Sequence, residues 1–424
     1  MSVLLLGLFL VFLFMNIPIV FSIGLSSVAV LICAKIPLLV VIQRLFTGSD
    51  SFILTAVPFF VLAGALMSTG GITTRLVEFA QCLVGHITGG LSFVTILASM
   101  IFGGVSGSAT ADTAAMGSIM IPAMEKKGYE KKFSCAVTAA AGTLGIIIPP
   151  SIPMILYGVI AGESIGRLFL GGFIPGVLVG LGMMVPAYYI SKRRQYAKTA
   201  RVSVREFGRS LRQSVFALLM PVIIIGGIVG GVVTPTEAGV LAVLYAAAVG
   251  FWVHRELSLN DLPKILRETV VMTASFMIIM AVASVFSWII AYLEIPGLVA
   301  ETLLGVTRNK YVILFLINVF LLVVGCFVDL GPALIITVPI FLPLIKMLGV
   351  NPIHFGLIVT INLGIGLFTP PVGTNLYVSC AIGKIGLGEI SRGIVPFIIW
   401  STIVLMIVTY VPQSVLFVPN LLMK

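Results

Sequence analysis

Charge is scarce in this sequence: 25 Lys and Arg and 15 Asp and Glu among 424 residues, 9% in all. With 59% hydrophobic residues and a mean hydropathy of +1.20, that scarcity excludes a water-soluble domain and leaves a polytopic membrane protein. Histidine is rarer still, and His86, His254 and His354 are each solitary. The five cysteines, Cys33, Cys82, Cys135, Cys326 and Cys380, are odd in number, widely spaced and set in apolar sequence, which excludes a disulfide framework or a zinc pattern and makes them packing residues. CxxC, HExxH, Walker A and GxSxG motifs are all missing. An intramembrane hydrolase needs a nucleophile and base or a metal pair, and no such constellation is present, so the chain reads as no enzyme. A passive channel needs charge rings or a repeated filter, and neither is found.

What the chain has in place of charge is a series of apolar windows of about 20 residues, each able to cross the hydrocarbon as a helix in the lipid bilayer. The opening MSVLLLGLFLVFLFMNIPIVFSIG lacks a basic leader and a cleavage site, so it reads as a retained helix, with no soluble domain before or after the bundle. The formal charge of +10 is concentrated rather than spread. Between Lys192 and Arg212 eight Lys and Arg face one Glu just after an apolar span, the signature of a cytoplasmic loop and not of nucleic-acid binding. HRELSLNDLPKILRE (254–268) reads as an amphipathic surface helix on the same side. Residues 213–253 hold two helices joined by TPTEAG (234–239), where Pro235 and Glu237 suit a helical N-terminal turn.

Glycine and proline repeat in register. Adding 221 carries Gly104 to Gly325, Pro122 to Pro343, Gly128 to Gly349, Gly145 to Gly366, and Pro149 and Pro150 to Pro370 and Pro371; Gly162, Gly172 and Pro175 follow suit. Composition predicts about one such coincidence over the window, so the nine found mark an internal repeat. Crossings near 52–70, 133–162, 168–190, 214–232 and 238–253 precede the second copy, which begins near 270, and an odd number inverts it. EKKGYEKK (125–132) has four lysines and its counterpart KMLGVNPI (346–353) one, as inversion requires.

Each copy holds an apolar window of awkward length. Residues 87–124 contain one charge, Asp112, and residues 311–345 one charge, Asp329. Each is too long for one crossing and too short for two with a turn, so each reads as a re-entrant hairpin, with tips GGVSGSATAD (103–112) and GCFVDLGPA (325–333). IPPS (148–151) and TPPVGTN (369–375) break the helices that follow. Tips and breaks converging near the midplane offer carbonyls and the Ser106, Ser108, Ser151, Thr374 and Asn375 oxygens to sodium, and half-helix N-termini to an anion. For Ser106 and Ser108, ligand and packing roles both stand open. Asp112 suits the first turn of the second hairpin helix, whereas Asp329, a lone intramembrane carboxylate, points to function. The candidate substrate contacts are Ser108, Asp112, Ser151, Asp329, Thr374 and Asn375.

The stretches FGGVSGSATADTAAMGSIMIPAM (102–124), GIIIPPSIPMILYGVIAGESIGRLFLGGFIPG (145–176), TPTEA (234–238) and GLFTPPVGTNLYV (366–378) resemble the large membrane subunit of tripartite ATP-independent periplasmic (TRAP) transporters. The resemblance covers essentially the whole chain. It implies an all-α, inverted-repeat, elevator-type transporter of the bacterial inner membrane, driven by sodium and not by ATP. A periplasmic substrate-binding protein delivers an organic acid, whether a C4-dicarboxylate, sialic acid or another sugar acid, and a small four-helix membrane subunit supports the scaffold; residues 1–50 cannot hold four helices, so that subunit is a separate chain. The implied sodium ligands are Ser106, Gly107 and Ser108 with Pro149, Pro150 and Ser151, and Gly366, Thr369, Gly373, Thr374 and Asn375 with the hairpin around Asp329. The implied division is N-terminal helices and arm (1–86), first transport repeat (87–165), scaffold helices, basic loop and second arm (166–310), second transport repeat (311–390) and C-terminal scaffold helix (391–424). The alternative is a sodium/proton antiporter, with Asp112 and Asp329 titrating, or an anion carrier that works without a binding protein.

Overall fold

The computed structural model describes residues 1–196, 198 and 202–423, with the backbone alone at residue 204. Residues 197 and 199–201 of the basic stretch lie outside the described residues. Among the described residues the chain is helical without strands, and eight helices are long and apolar enough to cross a bilayer. A further span, Lys131–Ile147 with Ile152–Ala161, bends by 44°. The bend has a plain cause: Pro149 and Pro150 offer no N–H, and Ile148 before them is extended.

The repeat is visible helix by helix. In the first copy Gly90–Ser106 and Ala109–Lys126 form a hairpin, followed by the broken helix that starts at Lys131. In the second copy Lys310–Phe327 and Leu330–Met347 form the hairpin, followed by a helix that starts at Pro352. The boundaries Ser106, Ala109, Lys126 and Lys131 recur 221 residues later at Phe327, Leu330, Met347 and Pro352. Both pairs fold back on themselves: Thr95 Oγ1 lies 3.8 Å from Met124 Sδ in the first, and the Phe320 and Phe341 rings meet at 5.5 Å in the second. Both Pro-Pro bonds, 149–150 and 370–371, are cis.

Each hairpin tip touches the break of its own copy. The Ile152 amide donates to the Gly107 carbonyl at 3.3 Å, and the Val372 amide to the Cys326 carbonyl at 3.3 Å. Since each break falls near the middle of its helix pair, each tip stops about halfway along the broken helix of its own copy. Glycine allows the approach: a Cβ on Gly366 would lie 2.4 Å from the Gly325 carbonyl oxygen, and one on Gly103 would lie 2.8 Å from the Gly145 Cα. The outer half-helices are exchanged, with Ile152–Ala161 packing on the second hairpin and Thr374–Gly383 on the first.

Around this block lies a layer in which Leu39–Ser49 packs on Leu262–Tyr292 and Ala56–Thr69 on Pro235–Ala248. The TPTEAG turn is a capping box: Glu237 Oε2 accepts from the Thr234 amide at 2.7 Å, and the Thr234 hydroxyl accepts from the Glu237 amide at 3.3 Å. Two expectations need correction. The first 24 residues are not one helix but two, Ser2–Phe14 and Ile19–Cys33, parted where Asn16 takes a left-handed φ of 61° and Pro18 follows. Residues 254–268 are not a separate surface helix: Asp261 closes a turn on Ser258, and Pro263 then opens a 31-residue helix, Leu262–Tyr292, because apolar sequence runs on without a break.

Candidate functional site

In the first hairpin the helix ends at Ser106, Gly107 takes φ +64°, and Ser108 is extended and caps the next helix by accepting from the Ala111 amide at 3.4 Å. The Ser106 hydroxyl donates to Asp112 Oδ1. Asp112 is fully buried and its second oxygen, Oδ2, has no partner; a Cβ on Gly145 would sit 2.0 Å from it, so the carboxylate presses on bare backbone. At the first break Ser151 spans the gap, donating to the Ile146 carbonyl at 2.6 Å and accepting from the Met154 amide at 3.4 Å.

The second site is built alike. Gly373, at φ +50°, turns the chain into Thr374–Gly383, and the Asn375 amide donates back across the break to the Leu367 carbonyl at 2.9 Å. The Thr369 hydroxyl donates to the Ile365 carbonyl at 2.6 Å. Asn375 Nδ2 donates to the Ala139 carbonyl of the first copy at 3.1 Å, while its buried Oδ1 has no partner. The Thr374 hydroxyl donates to Asp329 Oδ1 at 3.4 Å, joining break to tip.

A buried acceptor without a donor is costly unless something meets it. Asp112 Oδ2 and Asn375 Oδ1 are such acceptors, one beside each hairpin tip or break, and a small hard cation would satisfy them together with nearby carbonyls. The oxygen-only donor set fits sodium; among the described residues no three His, Cys, Asp or Glu side chains gather.

Between the tips opens a cavity of about 840 Å³. Gly107 and Ser108 line it from one hairpin, Asp329 from the other, and Leu262–Tyr292 forms the opposite wall. Of the expected substrate contacts, Ser108 and Asp329 therefore face the cavity. Asp112, Ser151 and Asn375 are enclosed behind it, and Thr374 reaches it through Asp329. Sequence reasoning missed the wall: Lys264, Arg267, Val271 and Ser275 fall at helical spacing on one stripe, a signal hidden because 254–268 was cut off from the span it opens. It also missed a buried thread in the second copy alone, where Asn362 Nδ2 donates to Asn318 Oδ1 at 2.7 Å and Asn318 Nδ2 to the Thr409 hydroxyl at 3.0 Å.

The fold is shared with the YdaH transporter of Alcanivorax borkumensis at a TM-score of 0.64, 14% identity and coverage of 87% of this chain and 86% of that one. Among curated proteins, the sialic acid TRAP transporter large permease protein SiaM of Vibrio cholerae is 43% identical over 379 residues, 89% of each chain. The C4-dicarboxylate TRAP transporter large permease protein DctM of Pseudomonas aeruginosa is 41% identical over 377 residues, 89% of this chain and 88% of that one. The isethionate TRAP transporter permease protein DctMQ of Oleidesulfovibrio alaskensis is 41% identical over 97% of this chain, which spans 65% of that longer protein. The family profile described as tripartite ATP-independent periplasmic transporter, DctM component, matches residues 6–414, and with relatives this similar across nearly the whole length the chain belongs to that family of large transporter permeases.

Proposed function

We propose that the chain imports an organic acid in symport with sodium, by an elevator motion of the hairpin block across the bacterial inner membrane. The observation that carries this reading is the pairing of two partnerless buried oxygens, one behind the first tip and one at the second break, with a cavity that both tips share. Sodium bound by those oxygens draws tip and break together and completes the wall against which the acid rests. The acid is of the kind named for the relatives, a sialic acid, a C4-dicarboxylate or isethionate, delivered by a periplasmic binding protein, with a small membrane subunit on the fixed layer.

The moving block in this proposal is wider than the sequence division allows. Of the two helices which that division gave to the scaffold, Leu387–Tyr410 packs chiefly on the broken helices, and Ile165–Arg193 packs on Leu387–Tyr410 and Gln413–Leu422 and then on Gly90–Ser106 and Pro352–Gly366. Tyr196, just past the first of them, stacks on Tyr129 at 4.2 Å, and Arg194 pairs with Glu130, tying this helix to the loop after the first hairpin. Both helices therefore travel with the block, while Leu39–Ser49, Ala56–Thr69, Pro235–Ala248 and Leu262–Tyr292 stay.

The test is uptake into proteoliposomes holding the large and small subunits, with loaded binding protein outside and the sodium gradient on or off. Uptake that needs the gradient supports symport; equal uptake without it rejects sodium coupling.

A further inference from the structure

The cavity has two chemically different ends. At one end are the hairpin tips, and a Cβ on Gly331 would lie 3.6 Å from the Phe276 ring on the opposite wall. At the other end the first turns of Leu262–Tyr292 present Lys264, Arg267 and Glu268 to the same space. Arg267 precedes Phe276 by nine residues, so its backbone stands about 13 Å back along the helix axis.

The two cations differ in their surroundings. Lys264 has Asp261 three residues before it and Glu268 four after, the spacings at which helical side chains meet. At those spacings Arg267 finds Lys264, Pro263, Val270 and Val271, none of them acidic, and none of the ion pairs among the described residues includes it. Arg267 is exposed and free of any ion pair among the described residues, with Glu268 next to it on the rim, beside cavity walls formed largely by Val271, Met272, Phe276 and Ile279. Low-dielectric walls lengthen the reach of such a charge.

We propose that Arg267 is a second anion subsite of this cavity, a staging point on the fixed helix that takes the carboxylate or sulfonate of the substrate as it leaves the hairpin tips. The guanidinium offers a planar pair of donors that matches either group. The inference rests on reading the cavity as the path of an organic acid. Because the tips move and Leu262–Tyr292 does not, Arg267 shares a cavity with them only in the arrangement seen here. It therefore acts on release and not on capture from the binding protein.

The test places a thiol in the cavity, as Ser275→Cys in the full-length protein with its five native cysteines replaced. Ser275 lines the cavity eight residues from Arg267. Its labelling is timed with two methanethiosulfonates, one bearing a sulfonate and the other a trimethylammonium group. A unit charge about 12 Å away alters the local concentration of a monovalent ion about twofold or more, in opposite senses for the two reagents. Arg267→Gln should therefore lower the sulfonate-to-ammonium rate ratio about fourfold or more, Arg267→Lys should preserve it, and Lys264→Gln, three residues further from the thiol, should lower it by no more than about threefold. A ratio that Arg267→Gln leaves unchanged overturns the proposal. N-acetylneuraminate, succinate and isethionate are then tried as protectants, and at least one should slow sulfonate labelling in the parent but not in Arg267→Gln. Proteoliposome uptake of the same three acids is measured separately: the labelling ratio decides the subsite and the uptake decides the transport reading, so either can fail alone.

Discussion

Replacing Gly366 by alanine puts a methyl carbon where backbone already stands. The new Cβ would lie 2.4 Å from the Gly325 carbonyl oxygen and 2.6 Å from its Cα, and neither atom can swing aside as a side chain would. Non-bonded carbons settle at about 3.5–4.0 Å, so the second hairpin and the helix before its break must part by about 1 Å. Overpacking of this kind costs about 1–3 kcal/mol, and the strain falls on the junction closed by the Val372 to Cys326 hydrogen bond. If oxygens of tip and break share a sodium ion, that separation removes one charge-assisted contact, about 1.5–3 kcal/mol or roughly tenfold to a hundredfold in affinity. The assay is a sodium titration of uptake in proteoliposomes, run beside Gly364→Ala, whose new methyl meets only the Ile146 side chain, with Cδ1 at 3.0 Å. Half-saturation should rise at least about tenfold for Gly366→Ala and stay within about twofold for Gly364→Ala. Identical sodium dependence in the two variants, both monodisperse on size exclusion, would refute the idea that the glycine crossing sets the ion site.

Asp329→Asn should abolish or severely reduce sodium-driven uptake while the protein remains folded in detergent, because the carboxylate that the second hairpin tip presents to the cavity is then neutral; normal uptake would make Asp329 structural. Ser108→Ala and Asn375→Ala should each shift sodium dependence to higher concentration with capture of the loaded binding protein little changed; wild-type dependence in both would move the ion ligands to backbone carbonyls. Phe276→Cys with Gly331→Cys should crosslink in the present arrangement, and Gly331→Cys with a cysteine two to three turns further along Leu262–Tyr292 only in the other. A single set forming under all sodium and substrate conditions would remove the support for an elevator.

Glycine and proline made the hairpins legible, because they mark where backbone departs from the helix and where chains touch. The offset of 221 found in Gly145, Pro149 and Pro150 is the same offset that separates Ala109–Lys126 from Leu330–Met347. Capping at Thr234 and Glu237 was legible for a similar reason, being local chemistry over four residues. What stayed hidden depends on tertiary neighbours. Nothing local tells that Asp112 is sealed behind the tip while Asp329 opens on the cavity, since both occupy a helical first turn or cap. The Asn318, Asn362 and Thr409 thread joins three helices from sites 44 and 91 residues apart, so no window of sequence contains it. Arg267 was concealed by the assumption that charge ends a span, whereas a cavity lets a membrane helix keep a cation along its length.

The exchange of outer half-helices between the copies has a consequence for biosynthesis. Ala139 waits for Asn375 across 236 residues of chain. At about 5–20 residues per second, roughly 12–47 s of translation separate the two. During that interval the first hairpin lies in the bilayer without the half-helix that covers it, so the copy that emerges first cannot finish folding until most of its twin has been made.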